Sequence, residues 1–269
     1  MAKRRAARAQ AQPGQIAGHH AAPCGRPAGE GDTLGWGLLL LAGLAVAGAS
    51  AMAFFYAPRE ATMGDVQRIF YGHVASAWVG FLGFGVACGA GIAYLARRAR
   101  RWDALAIASV EIGLACMVMA VATGMLWARP VWGVFWTWEP RLTITALQLL
   151  LYVACLMLRA SLDDPELRAR YAAVYTIVAF ATVPLSWFAI RWWRTIHPDL
   201  LTGDGGMAIT PAMLQTLGVS VAASTLLYVA LVRQRVRLEA LRHEVERLRG
   251  AAEEAAAYEA AASGEPRAR

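Results

Sequence analysis

Six long apolar runs leave this chain few ways to fold. They cover residues 34–56, 71–96, 104–127, 142–158, 171–190 and 208–232. Each run is close to the ~20 residues that a helix needs to cross a hydrocarbon core about 30 Å thick. Backbone groups in lipid must bond to one another, and runs of this length do so as helices. We therefore predict an all-α, polytopic membrane protein with six transmembrane helices.

Basic residues are unevenly distributed between the connections. Of the 26 Lys and Arg residues, 20 lie in the two tails and in the second and fourth connections, and 6 lie in the other three. Because cytoplasmic loops carry an excess of Lys and Arg, we predict that both termini are cytoplasmic. The net charge of +7 follows from this topology. It gives little support to a nucleic-acid partner, because the basic residues are spread over several segments.

The composition divides the chain into three regions. Residues 1–33 are rich in Ala, Arg, Gln, Pro and Gly and are predicted to be a disordered, basic cytoplasmic tail. Residues 34–232 form the six-helix membrane domain. The first apolar run continues past a signal-peptidase-like sequence near residue 50 and follows a long tail, which favours an uncleaved anchor. The four cysteines form no CxxC pair, so we expect neither a disulfide framework nor a c-type cytochrome.

Residues 233–269 are predicted to be a cytoplasmic helical tail. Apolar residues repeat there at a spacing of three and four for about two heptads, which is short for a coiled coil. The pattern fits a solvated helix that continues from the sixth span, and it also fits a surface that docks a cytoplasmic partner. The repeating residues are Leu238, Leu241, Val245, Leu248 and Ala252.

The third connection is a tryptophan motif with chemistry of its own. Trp132 and Trp136 are four residues apart and would share a face of a helix. A glycine has no side chain, so a planar ligand can come close to the backbone at Gly133. Anchoring in lipid needs one or two aromatics, so the cluster indicates a platform for a large flat ligand. Its members are Trp132, Gly133, Trp136, Trp138, Glu139 and Arg141.

Two histidines, His73 and His197, occupy outward positions, whereas the other three lie in the cytoplasmic tails. Neither has a metal-ligating neighbour within a few residues, which argues against a local zinc motif. One histidine from each of two separate segments suits axial ligation of haem iron from opposite sides. Each alone fits an interfacial polar residue equally well. Beside the tryptophan motif we favour iron ligation.

Charged residues accompany these histidines. An arginine fork matches a carboxylate, and haem carries two propionates. We expect Arg68 and Arg141 to contact the propionates, while Arg191 and Arg194 fit helix ends or lipid headgroups equally well. Glu111 lies inside the third apolar run, where an acid is costly. It is either a functional group or a partner for polar groups on a neighbouring helix.

These segments resemble the protein C family that handles haem during cytochrome c maturation. The matching residues are 68–74, 77–78, 111–113, 123–143 and 192–197. The family motif usually has Asp where Glu139 stands, and often has Trp where Phe135 stands. The resemblance implies that haem b is bound at the outer, periplasmic face of the bacterial cytoplasmic (inner) membrane. His73 and His197 would be its axial ligands, and the tryptophan motif its platform.

The resemblance also implies partners. Haem would be delivered to a membrane-anchored periplasmic haem chaperone. An ATP-binding-cassette haem export complex, with ATPase and permease subunits, and a small single-helix subunit would work beside the chain in the lipid membrane. The activity implied is haem binding and transport, with no enzymatic reaction.

Three alternatives belong to other functional classes. A cytochrome c synthetase, which attaches haem, and an electron-transfer cytochrome b subunit both need histidines inside membrane helices. No apolar run has a histidine in its centre, since His73 lies at a membrane edge. A structural permease-like subunit of a haem transporter would have no use for the tryptophan cluster. An absorbance spectrum of the purified protein separates most of these possibilities.

Overall fold

A computed structural model describes residues 32–193, 196–197 and 209–263, with side chains up to residue 258. Chain contacts define two units, Met1–Thr33 and Leu34–Arg269, and only Asp32 and Thr33 of the first are described. Over the described residues there are six helical segments long and apolar enough to cross a membrane, and no strand. The prediction of an all-α fold with six spanning segments is confirmed.

The helices follow the apolar runs and extend beyond most of them. A π-helix, Met52–Tyr56, continues the first helix, and a 3-10 turn, Asp65–Arg68, precedes the second. The α-helices are α1 (Thr33–Ala51), α2 (Ile69–Arg97), α3 (Arg100–Trp132), α4 (Pro140–Ala160), α5 (Pro165–Phe180), α6 (Thr182–Trp192) and α7 (Pro211–Ser263).

The fifth apolar run forms two helices where the sequence predicted one. α5 ends at Phe180 and α6 begins at Thr182, with a turn at Ala181. Pro184 is the cause, because it has no N–H to donate to the carbonyl of Phe180. In the first turn of a new helix that missing donor costs nothing. Together α5 and α6 still form one candidate span, Pro165–Trp192.

Close backbone contact between α2 and α3 sets how the start of α2 meets the end of α3. A Cβ atom built on Gly83 would lie 2.8 Å from the Cα of Gly113 and 2.9 Å from the carbonyl oxygen of Ser109. A Cβ atom on Gly80 would lie 2.8 Å from the Cε of Met117. Small residues allow helices in membranes to approach in this way. The approach brings the start of α2 against the last turns of α3.

Two ion pairs join α3 to α7 and to α4, nearer the start of α3. The Arg235 guanidinium on α7 donates to both carboxylate oxygens of Glu111 on α3, at 2.6 and 3.0 Å, and to Glu239 at 2.7 Å. Arg159 on α4 contacts Asp103 on α3 through two hydrogen bonds of 2.6 and 3.1 Å. Glu111 is therefore a structural partner of a neighbouring helix, which was one of the two roles its sequence position allowed.

The last helix continues well past the sixth apolar run. α7 has 53 residues, and the repeating Leu238, Leu241, Val245 and Leu248 are exposed on it. About 20 residues suffice to cross the hydrocarbon core. Residues 233–263 thus continue the helix of the last span. A cytoplasmic helical tail over residues 233–269 stays a prediction.

Candidate functional site

Two adjoining cavities lie where the starts of α2, α4 and α7 meet the ends of α3 and α6. The larger has a volume of about 700 Å³ and lies among α2, α6 and α7. The smaller, of about 70 Å³, is bordered by α2, α3, α4 and the tryptophan motif. Sites for organic ligands occupy about 300–1,000 Å³ and are mostly apolar. His73, His197 and Arg141 border both cavities, so the fold brings these three predicted residues together.

His73 is held by α3. Its Nδ1 donates a hydrogen bond of 2.8 Å to the carbonyl oxygen of Ala120 and lies 3.3 Å from the Thr123 hydroxyl. The Thr123 hydroxyl itself donates to the carbonyls of Met119 and Ala120 at 2.8 and 3.1 Å. A hydrogen bond from one ring nitrogen to a backbone carbonyl fixes the tautomer and leaves the other nitrogen to act as a ligand. This bond makes Nε2 the ring nitrogen of His73 that would coordinate a metal.

Gly124 makes room for this imidazole. A Cβ atom at position 124 would lie 2.9 Å from His73 Cε1 and 3.3 Å from Nδ1. Reasoning from the sequence did not assign functions to Ala120, Thr123 or Gly124. The contact to Ala120 is made by a backbone carbonyl, which every residue carries, so no sequence pattern could have indicated it. Gly124 was part of the family resemblance, but its role depends on the crossing of α2 and α3.

His197 and three tryptophans, Trp127, Trp132 and Trp136, also border the smaller cavity. The ring of His197 lies 6.5 Å from that of Trp132, in an edge-to-face arrangement. Trp132 in turn lies 5.2 Å from Trp127, also edge to face. These are common geometries for aromatic pairs. The last residue of α3 therefore stands next to the second histidine, as expected for one site.

The tryptophan motif is a connection, not a continuous helix. α3 ends at Trp132 and α4 begins at Pro140, so Trp132 and Trp136 do not share a helical face. Both still border the smaller cavity. The Nε1 atom of Trp136 is buried and has no hydrogen-bond partner among the described residues. Trp138 lies 5.6 Å from Trp136 and is 76% exposed, and it borders neither cavity.

Gly133 and Arg129 make the turn that ends α3. Gly133 has a φ of 79°, which favours glycine, and its N–H donates to the carbonyl of Arg129 at 3.0 Å. The Arg129 side chain donates back to the carbonyl of Gly133 and lies 5.6 Å from the ring centre of Phe135. Gly133 borders neither cavity. The structure thus gives this glycine a conformational role, where we expected close approach of a ligand.

Glu139 caps α4. Its carboxylate accepts a hydrogen bond of 2.8 Å from the N–H of Leu142, and Pro140 follows as the first helical residue. An acid at this position satisfies a free N–H and complements the helix dipole. The first turns of α4 carry Arg141, Leu142 and Thr145, which border the smaller cavity. By fixing where α4 begins, Glu139 helps to position these three side chains at the cavity.

The structure separates the arginines. Arg68 borders neither cavity and joins the 3-10 turn to the π-helix. It pairs with Asp65 at 3.0 Å and donates to the carbonyls of Ala53 and Phe54. Arg141 and Arg191 border the larger cavity, and Arg194 lies outside the described residues. The position of Arg68 does not fit contact with a ligand in these cavities.

This set of residues suits an iron porphyrin better than a bare metal ion. Within the described part of the chain, no group of three or more His, Cys, Asp and Glu side chains is placed to hold a metal. Two histidines are sufficient when a porphyrin supplies the remaining ligands. The larger cavity also offers aromatic walls, with Trp78, Phe81 and Trp187 among its lining residues. The site fits haem as a bound substrate.

Comparison with known proteins agrees with this chemistry. The sequence model of the family described as "Heme exporter protein C" matches residues 26–251. The "Heme exporter protein C" of Bradyrhizobium diazoefficiens is 36% identical over 193 residues, covering 71% of this chain and 73% of the relative. That of Escherichia coli K12 is 31% identical over 188 residues, covering 68% and 74%. With both histidines and the tryptophan motif inside the matched residues, this chain belongs to the Heme exporter protein C family.

Proposed function

We propose that this protein binds one haem b between His73 and His197 and delivers it to a periplasmic haem chaperone. Membership of the family supports a role in haem handling for cytochrome c maturation. The observation that carries the finer proposal is that both histidines border the same cavity of about 700 Å³. That volume is in the range used for large organic ligands.

The two histidines have different structural support. Nε2 of His73 coordinates iron from one side, and its orientation is preset by the hydrogen bond to Ala120. His197 coordinates from the other side and is next to Trp132. A bound metalloporphyrin supplies the iron and its equatorial ligands, and the protein supplies position and axial donors. His73 is held in place on α2, whereas His197 lies on the connection between α6 and α7. One fixed ligand and one on a connection suit a site that must release haem.

Arg141 is our choice for the propionates, with Arg191 as a second contact. Both border the cavity that the histidines share. An arginine can bind a carboxylate with two parallel hydrogen bonds. The fork of Arg68 already contacts Asp65 and two backbone carbonyls, so its role is to hold the start of α2.

The tryptophan motif serves as the exchange surface. Trp132 and Trp136 border the smaller cavity, while Trp138 is largely exposed beside them. Buried aromatics supply apolar contact area, and exposed ones suit a protein partner. This graded exposure supports a surface on which residues that face haem lie next to residues that an arriving chaperone can touch.

The proposed setting is the bacterial inner membrane, with the site on the periplasmic side. The basic residues of the tails and the even-numbered connections support that orientation. The partners would be the chaperone, an ATP-binding-cassette export complex and a single-helix subunit. We propose haem binding and transfer, with covalent attachment of haem left to other proteins.

The absorbance spectrum of the purified protein tests the ligands. His73→Ala combined with His197→Ala should abolish stoichiometric haem, because both axial donors are lost. His243→Ala is the matched control, because His243 is on the C-terminal part of α7, remote from the cavities. The control should keep a six-coordinate, bis-histidine spectrum. A bis-histidine spectrum in the double variant would refute the assignment.

A further inference from the structure

The larger cavity has an opening bordered by apolar side chains. Four of its lining residues are also exposed, which happens where a cavity reaches the surface. Phe188 and Trp187 of α6 are 44% and 41% exposed, Leu214 of α7 is 60% exposed, and Trp78 of α2 is 43% exposed. The opening thus has α6 on one side and α7 on the other.

Packing explains why a gap exists there. α6 packs on α4 and α5, whereas α7 packs on α2 and α3. Over their described ranges, α6 and α7 scarcely touch each other. On its other side, the start of α7 contacts the π-helix. The Tyr56 hydroxyl donates to the Gln215 side chain there at 2.7 Å. Among the described residues, side chains of α6 and α7 therefore border a gap that no packed interface between these two helices fills.

The rim of the gap belongs to two candidate membrane spans. Phe188 is about one turn from the end of α6 at Trp192, and Leu214 is about one turn from the start of α7 at Pro211. Both residues are inside candidate membrane spans. Exposed Phe, Trp and Leu side chains at such positions are suited to acyl chains. An apolar rim on two candidate spans suits the bilayer better than the aqueous phase.

We propose that haem reaches His73 and His197 sideways from the bilayer, through the opening between α6 and α7. This inference rests on the proposed function. Haem is a flat apolar ring with two carboxylates along one edge, so in a bilayer its ring lies among acyl chains and its propionates lie near headgroups. Arg191 stands in the last turn of α6 and borders the same cavity, where it meets the charged edge. The ring enters between Phe188 and Leu214, with aromatic walls on its path.

Cross-linking across the opening tests the route. In a background with alanine at positions 24, 88, 116 and 155, Phe188→Cys and Leu214→Cys are joined by a bifunctional maleimide. Tyr56→Cys with Gln215→Cys is the matched control, because it ties α7 on the side of the π-helix. The measured quantity is the rate at which the bis-histidine spectrum appears. Haem is supplied either in phosphatidylcholine vesicles or on a water-soluble carrier protein.

We expect the Phe188–Leu214 cross-link to slow loading from vesicles about tenfold or more, which is the effect of a modest added barrier. The control pair should load normally, and haem bound before cross-linking should keep its spectrum. Leu214→Trp is a second variant that narrows the opening without a cross-link, and it should also load slowly while reaching the normal final spectrum.

Two results would overturn the route. One is loading from vesicles at the control rate in both the cross-linked protein and Leu214→Trp. The other is faster loading from the soluble carrier than from vesicles. Either result, with a normal spectrum at the end, leaves the proposed function intact. Absence of haem in the protein before any cross-linking would instead contradict the proposed function itself.

Discussion

At the scale of single residues, the position of His73 depends on a carbonyl and a glycine of another helix. The 2.8 Å hydrogen bond from Nδ1 to Ala120 and the space above Gly124 together hold the imidazole. Groups that orient a metal ligand are worth about 10–100-fold in affinity. If His73 binds haem as proposed, Ala120 and Gly124 would affect the affinity by holding the imidazole.

Replacing Gly124 by alanine tests this arrangement. A methyl group 2.9 Å from His73 Cε1 must displace the ring and stretch its bond to Ala120. We expect Gly124→Ala to lower haem affinity about tenfold or more by titration of the apoprotein. Gly89→Ala on α2 is the control, because a Cβ atom there meets nothing within 4 Å. Equal affinities for the two variants would show that Gly124 does not position His73.

At the scale of elements, the connection between α3 and α4 is built from capping interactions. Gly133 ends α3 with a positive φ, and the Glu139 side chain accepts from the N–H of Leu142 to begin α4. The residues between them, including Trp136, are held between two fixed ends. The two fixed ends explain how a segment without regular structure keeps Phe135 and Trp136 beside the smaller cavity.

The tryptophans of this connection should matter for transfer rather than for anchoring. Burying one large side chain contributes about 1.5–3 kcal/mol, so removing two weakens contact with the ring. We expect Trp132→Ala with Trp136→Ala to reduce covalent haem on the chaperone, normalised to the amount of this protein in the membrane. Trp36→Ala, at an exposed position of α1, should transfer normally. Lower abundance with unchanged transfer per molecule would support anchoring instead.

At the scale of the whole molecule, the distribution of charge predicts which way the site faces. The cavities lie at the end of the helices away from the Glu111–Arg235 and Asp103–Arg159 pairs. Among the described residues, the basic side chains of the second and fourth connections and of the C-terminal part of α7 belong to those ion-paired ends. If those ends are cytoplasmic, the histidines and the tryptophan motif are periplasmic.

Cysteine labelling checks this orientation. In the cysteine-free background, Val134→Cys should react with a membrane-impermeant maleimide added to intact cells, and Gly250→Cys should react only after the cells are opened. Val134 is 44% exposed in the connection, and the space around Gly250 is open. Labelling of Gly250→Cys but not Val134→Cys in intact cells would reverse the predicted topology.

Much of the fold could be read from composition alone, and the site only in part. Runs of apolar residues specify helices because lipid offers the backbone no other partners. The prediction of one helix over the fifth apolar run was wrong at Ala181, and Pro184 is the residue in the sequence that indicates the break. Nothing in the sequence separates Arg68 from Arg141 as a predicted contact of the propionates. Both are arginines near the motifs, and only the path of the chain shows that one borders a cavity.

The sequence by itself determined the class of fold, the family resemblance and the two candidate ligands, because apolar length and rare residue types are local properties. Tertiary structure alone decided that His73 and His197 share a cavity, that Ala120 and Gly124 hold one of them, and that Glu111 pairs with Arg235. It also decided that α6 and α7 stand apart. These are relations between distant segments of the chain, which no local pattern specifies. The close approach of α2 and α3 at their glycines is what brings His73 to Ala120 and Gly124.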